Sequence, residues 1–517
     1  MTPGRSTRWL IGCAGLAVIA IAGCGDDGGG EVDVGPAAAV PENTPIYVDA
    51  TVRPEGTAQT DANAALGKIL DTGDPGGKIV SLIDEQGQQE PPERRFTYAQ
   101  DIEPWLGDDV GVFFTTFADD PDGAAAIETT DPDAALAFAR KLAGATESTP
   151  PPEEYNGASY QTDPEQGKEV FGVVDDFLVQ GSLEGFKAAV DASNGDSLGD
   201  SDDFTDAIGD LPEERLGTLY TVPRSLLEAI PPEDLQPGGQ DVIEQVGGEN
   251  LDAPVSGSLT ASEDSFDLEF TGGGDEVDTP ESSLVAEVPA DSWLAFGIGD
   301  LGASVKQILD QLRESDIPGF EQGLSQAERA TGASVDELTG ALGDAALYVK
   351  GTTEPTLAGA LVIQVNDAEL TGRLLRQLQG LLTLGGASGV KQLNLQGGGS
   401  GIQFNVPSEF PRPIELAQQD DRFVIAYGAG SAQEALQPGQ QLASSASFGA
   451  AQGQISDLGA DLFLSFPAIF QLAESGGAKA DPDYAQAKPY INALDYLISG
   501  SGSDDGNTEV KAVLGLR

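Results

Sequence analysis

The chain has 517 residues, with 85 acidic and 26 basic side chains, a net charge of −59, no histidine and two cysteines. Zinc, copper and iron sites normally draw on His and Cys and are not expected, and Ser-His-Asp or Cys-His mechanisms, which need an imidazole, are excluded. Carboxylates leave hard cations such as calcium as the candidate metals, but no dedicated metal site and no cofactor are expected; a surface this acidic repels phosphate backbones, so no nucleic acid partner is expected either.

In chain order, Arg5 and Arg8 precede the apolar run Leu10–Ala22. That run is too short to cross a bilayer as a helix and suits the apolar core of a signal peptide. It ends in Ile21-Ala22-Gly23-Cys24, which resembles the lipobox of bacterial lipoproteins. The resemblance implies cleavage between Gly23 and Cys24, a diacylglycerol on the Cys24 sulfur and acylation of the new amino terminus. Residues 1–23 are then the lipoprotein signal peptide, with an ordinary secretory signal as the simpler alternative. Two acyl chains hold a protein stably, since each buried methylene contributes ~0.8 kcal/mol. Cys13 leaves with the signal and Cys24 becomes a thioether, so no thiol or disulfide is expected in the mature chain. Residues 24–39, rich in Gly, Ala and acids, read as a flexible tether reaching roughly 20 Å. The rest is expected to be extracytoplasmic, lipid-anchored to the cell membrane through Cys24.

Beyond the tether the chain repeats itself. Val40-Pro41 with Ile46-Tyr47-Val48 returns as Val288-Pro289 with Leu294-Ala295-Phe296, and Leu106-Gly107-Asp108 returns as Leu342-Gly343-Asp344. Asp133-Ala134-Ala135-Leu136 matches Asp367-Ala368-Glu369-Leu370, and Asp175-Asp176-Phe177 matches Asp420-Asp421-Arg422. Phe204 and Pro223 bracket the same interval as Phe448 and Pro467. Matches in one order at similar offsets indicate a duplicated domain.

Strands are expected near Ile46–Val52, Val110–Phe117, Ala124–Thr130, Ser159–Thr162, Glu169–Val174, Phe177–Gln180 and Leu219–Val222. Asp131 reads as a helix N-cap with Pro132 at the first helical position. Val305, Ile308, Leu309 and Leu312 form one helical stripe, and Leu370, Leu374, Leu378, Leu381 and Leu382 another. Each half closes with a hairpin, one turning at Glu263-Asp264 and one at Asp505-Gly506, with Val510, Ala512, Leu514 and Leu516 alternating toward a core. Short connections favour antiparallel pairing. The fold class is therefore α+β, two tandem related domains, each a mainly antiparallel sheet with helices packed on one face. The first repeat covers 40–270, the linker 271–283 and the second repeat 284–517.

The Val-Pro opening strand and the Leu-Gly-Asp element resemble a group of bacterial envelope proteins classed as a domain of unknown function. The resemblance covers most of residues 40–517 and implies no activity or ligand.

Four motifs carry a chemical alternative to a structural role. Gly297-Ile298-Gly299-Asp300-Leu301-Gly302, with Asp316 downstream, has the spacing of a dinucleotide-binding turn. The first half has no glycines there, so a tight strand-to-helix turn is expected. Ser388-Gly389-Val390-Lys391 has the spacing of penicillin-binding nucleophiles but sits in a Gly-rich stretch read as a loop, and Lys350-Gly351-Thr352 has the partner motif in the wrong order. Asp108 and Asp344 are the best-placed candidate acids. Their structural alternative is that Gly107 and Gly343 end a helix in the left-handed region while the aspartate caps the turn. The acidic turns Asp119–Gly123 and Ser503–Gly506 lack EF-hand spacing, and Trp105 and Trp293 are expected in cores.

No catalytic residue is assigned, and the site residues are Gly23 and Cys24. A membrane-anchored, non-enzymatic binding or structural envelope protein with an unknown protein partner or small ligand is the leading expectation. A solute- or lipid-binding lipoprotein with its cleft between the halves is the alternative, and a carboxylate-dependent hydrolase the third.

Overall fold

The computed structural model describes residues 34–117, 121–145, 150–164, 167–230, 251–272, 283–314, 319–384, 388–406, 410–455, 458–504 and 507–517. Gly23, Cys24, the run Leu10–Ala22, Asp119, Asp316, the Asp505-Gly506 turn and nearly all of the expected linker lie outside them. The chain divides into two compact units, Met1–Asp275 with Asp505–Thr508, and Glu276–Asp504 with Glu509–Arg517.

The first unit is built on β1 (Ile46–Thr51), β2 (Leu106–Phe114), β3 (Gly123–Thr129), β4 (Glu153–Tyr155), β5 (Ala158–Thr162), β6 (Glu169–Val174), β7 (Phe177–Ser182), β8 (Gly217–Thr221), β9 (Val255–Ser262) and β10 (Ser265–Gly272). Its spatial order is β10-β9-β8-β1-β2-β3-β7-β6-β5-β4, antiparallel throughout. The second unit uses β11 (Ser292–Ile298), β12 (Leu342–Lys350), β13 (Ala358–Val365), β14 (Ser388–Leu393), β15 (Ser400–Asn405), β16 (Ile414–Gln419), β17 (Arg422–Tyr427), β18 (Gly459–Ser465), β19 (Leu494–Asp504) and β20 (Asn507–Leu516). Its order, β20-β19-β18-β11-β12-β13-β17-β16-β15-β14, is the same path through the same ten positions.

The repeated motifs do the same jobs in both units. The Val40 carbonyl accepts from the Leu198 N–H at 2.7 Å, and the Val288 carbonyl from the Leu442 N–H at 2.7 Å. Each valine is buried, so the Val-Pro pair pins the start of its unit to a 3-10 turn on the core. Asp175 and Asp420 turn their hairpins with φ of 48° and 52°, a region aspartate tolerates because its side chain bonds locally. Phe204 meets Tyr220 edge-on at 5.1 Å, and Phe448 meets Phe463 edge-on at 5.3 Å.

Helix starts follow the sequence. The Asp131 carboxylate accepts from the Ala134 N–H at 3.0 Å, with Pro132 at the first turn, and Asp367 accepts from the Leu370 N–H at 2.8 Å. The helix Leu183–Ser193 is capped by its own Ser182, bonded to the Gly185 N–H. Its counterpart Ser431–Leu436 begins at Gly430, which has φ +83° and no side chain. The Glu415 carboxylate, fully buried on β16, reaches across and accepts from Gly430 and Ala432 N–H at 2.9 and 3.1 Å. The positive end of the helix compensates the buried charge.

The α+β class and the antiparallel sheets agree with the sequence, but the helices lie on both faces rather than one. In the first unit Val179 and Leu178, adjacent on β7, enter different cores. Phe186, Ala189 and Val190 of the helix Leu183–Ser193 join Val179; Ala135 and Ala139 of the helix Pro132–Leu142 join Leu178. Successive strand residues point to opposite faces, so each helix covers its own side. The second unit repeats this, with Val362 in one core and Ile363 in another. The cause is visible in β3, where Ala124 to Ile127 is buried without interruption.

Three boundaries also shift. Residues 35–39, read as tether, form a 3-10 turn whose Pro36, Ala37 and Ala39 are buried against the first core. In β20 Leu516 is buried as expected, but Val510, Ala512 and Leu514 on its face are only half-buried, and Val513 on the other face is sealed in the core. Ser388–Lys391 lies on strand β14, not in a loop.

Phe448→Ala is expected to lower unfolding free energy by ~3–5 kcal/mol in urea denaturation, the cost of a large buried ring. Phe448→Leu should cost less than half of that.

Candidate functional site

The Leu-Gly-Asp element is a β-bulge in both units. Between Leu106 and Val110 the pairing of β2 with β3 slips, as does that of β12 with β13 between Leu342 and Ala345. Gly107 and Gly343 sit inside strands at ordinary φ, so the expected left-handed helix ends are absent at these residues. Gly107 is required for a different reason: any Cβ there would meet the Glu128 side chain at 2.7 Å. That contact brings the Glu128 carboxylate over the bulge, where it accepts from the Asp108 and Asp109 N–H groups at 2.9 and 3.1 Å. Nothing in the hydropathy pattern marks Glu128; the cross-strand pairing alone places it.

Asp108 and Asp344 hold equivalent places and do different work. The exposed Asp108 contributes its carbonyl, which accepts from the Val52 N–H at 2.7 Å. The half-buried Asp344 uses its carboxylate to accept from the Asp300 N–H at 3.1 Å. This bond fixes the glycine-rich turn after β11. There Asp300, at φ 37°, caps the next helix by accepting from the Ala303 N–H at 3.0 Å. Gly302 packs where a Cβ would meet the Thr339 carbonyl at 2.2 Å. The turn is therefore a tight strand-to-helix connection inside an antiparallel sheet, not a parallel βαβ nucleotide site.

Ser388 and Lys391 sit on an irregular edge strand, not at the helix start that a Ser-x-x-Lys nucleophile needs. Trp105 is buried, donating to the Asp101 carbonyl at 2.6 Å with Phe138 at 5.7 Å. The half-buried Trp293 donates to the Gly351 carbonyl at 2.9 Å. Of the acidic turns, Asp122 is described, and its carbonyl accepts from the Thr115 N–H at 2.8 Å. Among the described residues no three acidic, His or Cys side chains gather as a metal would need.

Two clusters of ionisable groups were not foreseen. In the second unit Lys350 bonds Asp291 and Glu434 at 2.8 and 2.5 Å. Burial pulls its ammonium down, but the two carboxylates more than offset this and raise it. The buried Tyr348 hydroxyl is pushed up by burial, then by Glu434 and Asp291. Lys350 thus stays charged and Tyr348 protonated near neutral pH. In the first unit Asp49 accepts from the Thr218 N–H at 2.9 Å. Burial raises its carboxyl, against the lowering effects of Thr218 and Arg215. Tyr47 on the same face is raised by burial and by Asp49 and Asp109.

The remaining feature is apolar. On β11, β12 and β17 the residues Phe296, Leu347 and Ile425 are 42%, 38% and 41% exposed, although their strand neighbours Ala295, Tyr348, Val424 and Ala426 are sealed in the core. A sheet face turned to water ordinarily alternates to polar residues there. This open apolar face is the candidate binding surface.

A family model described as a protein of unknown function (DUF3352) matches residues 10–516. No curated protein matches the chain. Among solved structures it is similar to crystal form I of TP0453, 10% identical with TM-score 0.17, covering 77% of this chain and 94% of that one. Crystal form III of TP0453, 10% identical with TM-score 0.16, covers 78% and 99%. Scores that low have no bearing on the fold or function of this chain.

Glu128→Ala should speed amide exchange at Asp108 and Asp109 at least ten-fold in a hydrogen-exchange experiment, since a charge-assisted bond contributes ~1.5–3 kcal/mol. Asp49 is raised in the folded state, so its favourable contribution is full below the unfolded pKa and is lost as pH rises through the folded one. The stability of Asp49→Asn relative to the native chain, from urea denaturation, should therefore be flat in acid and increase as pH climbs past ~4.

Proposed function

This chain belongs to the DUF3352 family of proteins of unknown function, and we propose that it works as an extracytoplasmic lipoprotein, held to the membrane by acyl chains on Cys24. In this reading its two units present a non-enzymatic binding surface to an envelope protein or small ligand. The observation that carries it is Cys24 itself, closing a small-residue stretch behind an apolar run and two arginines. Among the described residues no helix is long and apolar enough to cross a membrane. From Gly35 onward the chain is packed on the first core. The stretch from Cys24 to Gly35 can span at most ~35 Å, so the body would stay close to the bilayer.

A lipid-binding role is the second reading, favoured by the open row of Phe296, Leu347 and Ile425.

Labelled palmitate fed to cells is expected to enter the protein and to disappear from Cys24→Ala. Label that survives this substitution removes the anchor assignment.

A further inference from the structure

The open face of the second unit has an ordered geometry. Phe296 on β11 is paired directly with Leu462 on β18 and with Leu347 on β12. Leu347 is paired with Leu361 on β13, and Leu361 with Ile425 on β17. Five apolar side chains thus stand in one line across five strands, Phe296, Leu347 and Ile425 open to solvent and Leu462 and Leu361 half-buried, and past Ile425 the pairing runs into the buried Leu416. Strands lie ~4.8 Å apart, so the line is ~19 Å long. That is comparable with the depth of one leaflet's hydrocarbon, about half of ~30 Å.

The Ile425 end of the line carries a cation. Tyr427 lies two residues further along β17, on the same face. Arg412 stands over its ring at 5.8 Å, and Phe410, 43% exposed, lies 6.2 Å from the same ring. The described partners of the Arg412 guanidinium are that ring and the Leu357 carbonyl, neither of them an anion. In a chain with 85 acids and 26 bases, an arginine placed against a ring and a carbonyl at the end of an apolar line is suited to an anionic group from outside. Guanidinium forks bind phosphate well.

The first unit shows what the same fold looks like without this feature. At the matching register positions stand Leu219, Val48, Val112, Ala125 and Gln180. Val48, Val112 and Ala125 are smaller than Phe296, Leu347 and Leu361, and Gln180 puts an amide in the place of Ile425, so this line is less bulky and less apolar.

We propose that the second unit seats one acyl chain of a membrane phospholipid along Leu462, Phe296, Leu347, Leu361 and Ile425, with the lipid phosphate at Arg412. This deepens the lipoprotein reading and rests on it, because the anchor is what keeps the face within reach of lipid.

The test uses the full-length purified protein in vesicles of phosphatidylethanolamine and phosphatidylglycerol whose acyl chains carry an alkyne. The photo-crosslinking residue p-benzoylphenylalanine replaces Phe296, Leu347 or Ile425, with exposed Asp176 as the control position. Lipid adducts at the three sheet positions should exceed the control at least ten-fold. Arg412→Gln should lower the yield several-fold, Arg412→Lys should restore most of it, and alkyne-labelled diacylglycerol, which lacks a phosphate, should be indifferent to both. Phe296 accepts the photo-residue with little change of shape, so at least one position stays informative if another variant misfolds. Adducts no stronger than at Asp176 overturn the proposal, as do crosslinks to a second copy of the chain or to another protein in place of lipid. Palmitate labelling of the same preparations separates the two readings. A palmitoylated chain without adducts removes the lipid seat and keeps the anchor, whereas an unpalmitoylated chain with adducts does the reverse.

Discussion

The central strand of each unit is hydrogen-bonded on both sides, and its register decides where every large side chain goes. In the first unit β1 lies between β8 and β2, with Tyr47 opposite Tyr220 on one side and Phe113 on the other. In the second, β11 lies between β18 and β12, with Ala295 opposite Phe463 and Tyr348. Side chains alternate along a strand, so a slip of one residue would exchange the sealed face for the open one. The Val-Pro segment guards against that slip, because its carbonyl bond to Leu198 or Leu442 fixes where the strand begins.

Within that common frame the two units reach the same packing by different substitutions. Tyr47 and Phe113 form one cross-strand pair, whereas Ala295 and Tyr348 fill the equivalent place with one large ring and one small side chain. The matching helices are capped locally by Ser182 in one unit and from across the sheet by Glu415 in the other. Losing a cap costs ~1 kcal/mol, whereas a buried carboxylate without donors costs considerably more. Gly430 and Glu415 therefore form a dependent pair. Such pairs are why sequence identity between the halves can fall while strand order persists.

The acidic shell shapes what the body can touch. Exposed like charges raise self-repulsion and favour solubility, and several of the few cations are held by specific carboxylates, as Lys350 is by Asp291 and Glu434. Against that background an uncharged strip such as Phe296, Leu347 and Ile425 offers apolar contact that does not compete with repulsion. A lipid anchor at Cys24 and an apolar seat on the second unit would address the same solvent, one by covalent acyl chains and the other by shape.

Local chemistry made much of this legible from the residues alone. Asp131-Pro132 starts a helix because the carboxylate and the fixed φ of proline both act within one turn, and Glu169–Val174 is a strand at the predicted bounds. The duplication, the α+β class and the core places of Phe204 and Phe448 follow from periodicity, which depends on near neighbours. The candidate anchor, Cys24, is likewise a matter of adjacent residues. What the sequence could not decide depends on residues distant in the chain: the bulge at Gly107 held by Glu128, the cap from Glu415 to Gly430, helices on both sheet faces, and which apolar strand residues remain open. Phe296 and Phe463 look alike as letters in strands. The pairing of β11 with β18 and β12 buries one and leaves the other facing water, because only the tertiary register assigns a strand's two faces to core or solvent.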